Sequence, residues 1–264
     1  MLILGIVLAG LGALLLFLRS RAQSHLLEIR TAEALSISDI LETHGSIVGS
    51  VGPGGFSQVV SITGTLVCDD PIVGELSGRE CAYYTMRIEE RYEEEYWEQD
   101  SEGRDVRRTR TGSATVADNS NTAQFFIADQ GGRLELDADG AKMDLETVVD
   151  QFQPAMGGVS TLAFGTFSLD FTPGIVSGRR ILGYHYSERI LPINRNIYVI
   201  GDASDRGGAL KVRRPDDSGK PYIISLKSGQ EVASGMESKA KWLLIGAVVS
   251  FIAGGVAIVA GLAR

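Results

Sequence analysis

Apolar positions gather at the two ends of the chain, while the middle breaks into short apolar stretches separated by polar and glycine-rich ones. Met1 to Leu18 carries no charged side chain, and Trp242 to Ala263 is a second uncharged run with only Arg264 after it. As helices they reach roughly 25 and 33 Å, against a hydrocarbon core of roughly 30 Å. Both are read as transmembrane helices, the first over 1–18 and the second within 239–264, joined to the interior by a basic juxtamembrane linker at 19–25. Arg19 and Arg21 can reach back to the headgroups to make up the length of the first. A cleaved signal peptide is the rival reading there. The absence of a basic leader and of a small-x-small site around Leu18-Arg19-Ser20-Arg21 favours an uncleaved anchor.

The interior, 26–238, is expected to form one soluble domain. Leu26 to Gly49 predicts short helix, with Ser38 as cap and His44-Gly45 as its end. Val51 to Gly55 is a loop by its glycines and proline, and no Gly-Lys-Ser/Thr follows to make it a phosphate loop. Period-two and β-branched patterning then predicts strands over Val59–Val67, Ala82–Trp97, Gln124–Ala128, Arg133–Leu136, Ile181–Leu191, Asn196–Ile200, Ala209–Val212 and Tyr222–Leu226. Tyr84, Met86 and Ile88 fall on one face of the second of these. Asp144 to Phe152 predicts one amphipathic helix, ended by Pro154, from the spacing of Leu145, Val148, Val149 and Phe152. Gly157 to Gly178 is apolar with one charge, Asp170, and is expected as buried loop and strand, or as a surface for a membrane or partner. Ser228 to Ser238 is expected as a polar linker. The fold class is therefore α+β, mostly antiparallel β with a few short helices, flanked by two transmembrane α-helices.

Charge divides the chain sharply. Residues 24–238 hold 20 Lys and Arg against 33 Asp and Glu, a net −13, while Arg19, Arg21, Lys239 and Lys241 sit where the apolar runs meet the interior. Counting cations near helix ends puts the domain on the cytoplasmic side and both termini outside. The same cations suit anionic headgroups, so the lipid bilayer is an expected partner, whereas the acidic interior argues against nucleic acid.

The second strand candidate continues through Glu93-Glu94-Glu95-Tyr96-Trp97, turns near Asp100-Ser101-Glu102-Gly103, and returns through Arg104, Arg107, Arg108 and Arg110. Glutamates and arginines on opposing arms of a hairpin stabilise the pairing by roughly 0.2–1 kcal/mol per pair. The plainer account is a solvated ribbon whose charges guard an edge. The functional account is a docking arm, with Tyr92, Tyr96 and Trp97 as aromatic anchors beside Arg107 and Arg108.

Chemistry has little to build on. Two cysteines, Cys68 and Cys81, and three histidines, His25, His44 and His185, do not assemble a four-ligand zinc module, so no metal or cofactor is expected. The cysteines are expected as packed thiols, a disulfide requiring an oxidising compartment. No nucleophile-elbow motif accompanies His185, and the paired glutamates lie in a polar hairpin where nothing raises their pKa for acid catalysis. Gly5, Ala9 and Ala13, and Gly246, Ser250 and Gly254, recur every four residues, a spacing that lets the two helices pair or form oligomers.

Gly64-Thr65-Leu66, the run Leu76-Ser77-Gly78-Arg79-Glu80-Cys81-Ala82-Tyr83-Tyr84 and Arg87-Ile88-Glu89-Glu90 resemble the start of the GIDE, or "beside a membrane" (BAM), domain. Glu188-Arg189-Ile190-Leu191-Pro192 and Ile197 to Ala203, with Gly201, resemble its end. In mitochondrial and chloroplast envelope ubiquitin ligases this domain lies between two membrane helices and a zinc-binding RING follows the second. Here the sequence ends at Arg264, so the resemblance implies the membrane-side domain without the ligase module, and Cys81 matches a cysteine of that domain rather than of the RING. Shared fold does not carry the reaction.

The sequence thus predicts a non-catalytic, membrane-anchored scaffold or sensor that binds a protein partner or a second copy of itself. The alternative is an accessory component of a ubiquitin ligase-like or other enzyme system whose catalytic subunit is a separate chain. A third, an unrecognised enzyme, requires polar groups converging around His185 or Gly157–Gly178.

Overall fold

The structure, a computed structural model, describes residues 2–32, 34–155, 161–165, 167–170, 179–217 and 219–262. In chain order α1 (Leu2–Thr31) and α2 (Ile37–Val51) precede β1 (Ser57–Val67), β2 (Ile72–Val73), β3 (Glu80–Gln99) and β4 (Asp105–Thr122). Next come β5 (Phe125–Asp129), β6 (Gly132–Leu136), β7 (Lys142–Met143), β8 (Glu146–Pro154), β9 (Thr161–Phe164) and β10 (Phe167–Asp170). The chain closes through β11 (Arg179–Pro192), β12 (Asn196–Ser204), β13 (Lys211–Arg213), β14 (Ile223–Ser225) and α3 (Gly229–Leu262). A mostly β interior flanked by two long apolar helices is the predicted fold class.

The chain divides into two compact units, the first made of Met1–Thr65, Phe126–Asp144 and Asn196–Arg264 and the second of Leu66–Phe125 and Leu145–Arg195. In the first, seven strands run in the order β1-β5-β6-β13-β12-β14-β7, and β1 also pairs with β12. Most neighbours are antiparallel; β13–β6 and β14–β7 are short parallel pairs. Ile29 of α1 packs with Tyr198, Ile200 and Ile223, and Val232, Ala233 and Met236 of α3 close over them.

Apart from that contact and from one another, the two long helices leave much of their apolar surface open. Ile3, Val7, Phe17, Val256 and Val259 are each more than 60 % exposed. Helices of 29 and 33 residues that are this apolar are long enough to cross a membrane, and little of either apolar stretch is buried. They run antiparallel and touch where side chains are smallest. A Cβ on Gly5 would fall 2.9 Å from the Gly254 carbonyl oxygen, and one on Gly12 would fall 3.0 Å from the Phe251 ring. The small residues therefore serve helix pairing within the chain.

Several local readings change. The first helix does not stop at Leu18 but continues through the basic segment to Thr31, and residues 229–238 belong to α3 rather than to a linker. Leu26–Gly49 is split between α1 and α2, so it is not one short helix. The cap of α2 is Ser36, not Ser38, because Asp39 three positions on completes a reciprocal box with it, and the helix runs past Gly45 to Val51. Asp144–Phe152 is not a helix. It forms β8 because Thr147, Val148 and Val149 are β-branched and β11 supplies an antiparallel partner from Ile190↔Glu146 to Gly183↔Pro154, with one register shift at Val148. Of Gly157–Gly178 only β9, Gly165 and β10 are among the described residues.

The second unit is a five-stranded sheet in which β2-β3-β11-β8 follow one another and β4 adds to β3. Its core gathers Leu76, Cys81, Tyr84, Met86, Ile88, Val149, Tyr184, Tyr186 and Ile190, so the predicted face of β3 is the buried one. Phe164 stacks on Tyr186 with ring centroids 4.6 Å apart.

Candidate functional site

β3 and β4 form the predicted hairpin, paired from Tyr83↔Thr122 to Gln99↔Asp105 with one register shift between Ile88 and Glu89. Asp100 closes the turn: its carbonyl accepts from Gly103 N–H at 3.0 Å, and its carboxylate accepts from the Glu102 and Arg104 N–H groups at 2.9 Å each. The Arg104 N–H and side chain hold the Asp100 carboxyl below its usual range. β11 accompanies β3 only as far as Arg179↔Glu94. Beyond Glu94, among the described residues, the arm is a two-stranded ribbon of five residues a side, about 17 Å long.

Such a ribbon has no core beneath it, so side chains set its register. Glu95 pairs with Arg107, and Glu98 with Arg108 at 2.7 Å. At its base Glu94 accepts from Arg110 and Arg179, which together hold its carboxyl below the usual range. The aromatic residues differ in availability. The guanidinium of Arg179 lies 4.2 Å from the Tyr92 ring centre and that of Arg110 lies 5.5 Å from the Tyr96 ring centre, covering both. Trp97 stands on the opposite face, directly across from Arg107, and is 69 % exposed. Tyr96 and Arg108 thus share one face of the ribbon and Trp97 and Arg107 the other, and Tyr92 belongs to its foundation.

The family-motif residues do structural work. Glu188 is fully buried in the middle of β11 and accepts from the Leu76 N–H at 2.8 Å and the Ser77 N–H at 2.9 Å. It thereby pins the Gly74–Gly78 turn, in which Gly78 adopts a φ of 66° and donates to the Gly74 carbonyl at 3.0 Å. Tyr84 donates to Glu75 at 2.7 Å. Cys81 lies in the same core, where burial above all, then the Glu188 charge, pushes its thiol up to about 11. Tyr83 is half-buried and Pro192 is buried opposite Cys81. Gly201 belongs to β12, where a Cβ would meet Tyr222 and Val212 at under 3 Å. Cys68 is a partly exposed free thiol donating to the Gln124 carbonyl at 3.3 Å.

Two histidine–aspartate pairs were not read from the sequence. His44 on α2 faces Asp205 at 3.2 Å, and the buried Asp205 carboxylate also accepts from the Gly54 N–H at 2.8 Å and the Phe56 N–H at 2.9 Å. Those backbone donors, Gly54 first, hold its carboxyl below the usual range. The glycine loop and the Asp205 turn were each legible, but their meeting was not. His185 meets Asp150 at 2.7 Å on the side of β11 away from the core. It lines a shallow cleft of about 620 Å³ with Arg91, Thr111, Ser113 and Phe152. Among the described residues no three His, Cys, Asp or Glu side chains group as they would to hold a metal ion.

What results is a β-rich α+β protein bracketed by two helices of membrane-crossing length, with a charged two-stranded ribbon extending past its second sheet. The family model for GIDE, described as E3 ubiquitin ligase, matches residues 93–260, and the chain belongs to the GIDE family. The match takes in the Glu188–Ala203 motifs and most of α3, and begins after the Gly64–Glu90 motifs. No curated protein and no solved structure matches the chain.

Proposed function

We propose that the protein is a membrane-held binding platform. α1 and α3 cross the bilayer as a hairpin, the two β units lie on the cytoplasmic side, and the tip of the β3–β4 ribbon captures a protein partner. The observation that carries this reading is Trp97: a large aromatic 69 % exposed, flanked by Arg107, on a hairpin where the Tyr92 and Tyr96 rings are covered by arginines. Exposed tryptophan beside arginine is the composition of an interface anchor. The role is one of binding rather than catalysis, in keeping with motif residues that pin turns and fill a core.

A photo-crosslinking amino acid at position 97 of the full chain, in its native membrane, tests this. A discrete adduct that is lost with Arg107→Gln/Arg108→Gln, and absent when the probe is moved to exposed Val73, supports the platform. Equal labelling at both positions refutes it.

The family description favours a second reading, an accessory component of a ubiquitin ligase system whose catalytic subunit is another chain. Recovery of a RING-bearing or other enzyme subunit with the detergent-solubilised protein supports it. Recovery of a stable homo-oligomer alone supports a self-contained scaffold.

A further inference from the structure

The first unit contains a cleft of about 400 Å³ at the root of its two long helices. Five cations line it: Arg21 of α1, Lys142 of β7, Arg214 just after β13, Lys220 before β14, and Lys239 of α3. His25 lines it too, and its Nε2 is buried with no hydrogen-bond partner among the described residues. No Asp or Glu lines the cleft, and none of the five cations has an ion-pair partner among the described residues. Lys142, Arg214 and Lys220 belong to the stretch whose net charge is −13, and Arg21 and Lys239 flank it, so this concentration leaves mutual repulsion that an entering anion relieves.

The position of the cleft says which anion. Its apolar wall includes Leu18 and Leu243, the edges of the uncharged segments. Arg21 lies about 4–5 Å and His25 about 10 Å beyond Leu18 along α1, and Lys239 about 6 Å beyond Leu243 along α3. The headgroup layer of one leaflet is about 5–7 Å deep. If the uncharged segments fill the hydrocarbon, the cleft opens at the depth of the lipid phosphates. Gly140, with a φ of 69°, leaves room for the Arg214 stem, which a Cβ there would meet at 2.7 Å.

We propose that this cleft binds a phosphate ester, supplied by the headgroup of an anionic phospholipid. Arg21, Lys142, Arg214, Lys220 and Lys239 surround the phosphate oxygens, His25 Nε2 provides a further polar contact, and Leu18 and Leu243 border the start of the acyl chains. The inference rests on the reading that α1 and α3 cross the bilayer.

The test uses the full chain in phosphatidylcholine nanodiscs doped with phosphatidic acid, counting retained lipids by native mass spectrometry. Lys142→Gln/Arg214→Gln/Lys220→Gln is compared with Arg104→Gln/Arg107→Gln/Arg108→Gln, which removes the same charge from the ribbon. Wild type and the ribbon variant are expected to retain phosphatidic acid selectively, and the cleft variant to lose at least about tenfold of that selectivity. Arg214→Gln alone is expected to give a smaller loss in the same direction, which guards against a folding defect in the triple variant. Glycerol 3-phosphate, titrated by calorimetry into undoped discs, separates the sources. Saturable binding there without lipid selectivity identifies a soluble ester as the occupant. Equal lipid retention by cleft and ribbon variants overturns the site. A wild-type chain stripped from vesicles by alkaline carbonate instead refutes the membrane reading, and glycerol 3-phosphate binding then reports on the cleft by itself.

Discussion

Replacing Glu188 tests whether one buried carboxylate holds the Gly74–Gly78 turn. Glu188 is fully buried and satisfies two backbone donors, the N–H groups of Leu76 and Ser77. Glu188→Gln keeps one acceptor and turns an amide N–H₂ toward the other donor. The lost charge-assisted bond costs about 1.5–3 kcal/mol. Glu188→Ala strands the buried Leu76 N–H, at about 1–3 kcal/mol, and leaves the half-buried Ser77 N–H without its acceptor. Hydrogen exchange by mass spectrometry on a peptide covering residues 74–80 reads the local cost directly. Where exchange proceeds by local opening, 1.5–3 kcal/mol corresponds to about 10- to 150-fold faster exchange in the Gln variant. The Ala variant is expected to be faster still and to unfold at lower temperature. Wild-type exchange in both variants would refute the assignment of Glu188 as the anchor of this turn.

Other consequences follow from the same geometry. Asp205 has a depressed carboxyl pKa in the folded state, so its contribution to stability is present above about pH 4, its unfolded range, and is lost as pH falls through the lower folded value. Circular dichroism of wild type and Asp205→Asn between pH 5 and pH 2 should show the wild-type advantage shrinking with acid, and a constant difference contradicts this. Cys81, buried with its thiol pushed up to about 11, should resist maleimide at neutral pH in the folded chain while Cys68 reacts, as peptide mass spectrometry can show. Gly254→Leu crowds Gly5 and Ala9 across the helix pair and should cost about 1–3 kcal/mol, lowering the aggregation temperature in detergent, whereas Gly10→Leu, with open space at its Cβ, should not.

What the sequence disclosed depended on how local the cause was. The hairpin was legible because a four-residue turn and two arms of opposite charge lie within thirty residues, and the pairs Glu94–Arg110 and Glu98–Arg108 follow from that proximity. The face of β3 was legible because Tyr84, Met86 and Ile88 alternate. β8 was misread because Leu145, Val148, Val149 and Phe152 suit a helical stripe as well as a strand, and what decides between them is β11, some forty residues away. Ser36 and Ser38 both precede Asp39, and only the reciprocal bond identifies the cap. For the candidate site, exposure separates Trp97 from Tyr92, and that depends on Arg179 arriving from another strand. The cleft cations lie at 21, 142, 214, 220 and 239, so three separated parts of the chain have to meet before the cleft exists.

The central claim is that two apolar helices hold the β units on the cytoplasmic side of a bilayer. A protease-cleavable tag inserted after Glu102, in the hairpin turn, gives the most direct measurement, read in sealed vesicles of known orientation after an alkaline carbonate wash. The account predicts that the chain stays in the membrane and is cut only from the cytoplasmic face. Release by carbonate, or cutting from the opposite face, would contradict it.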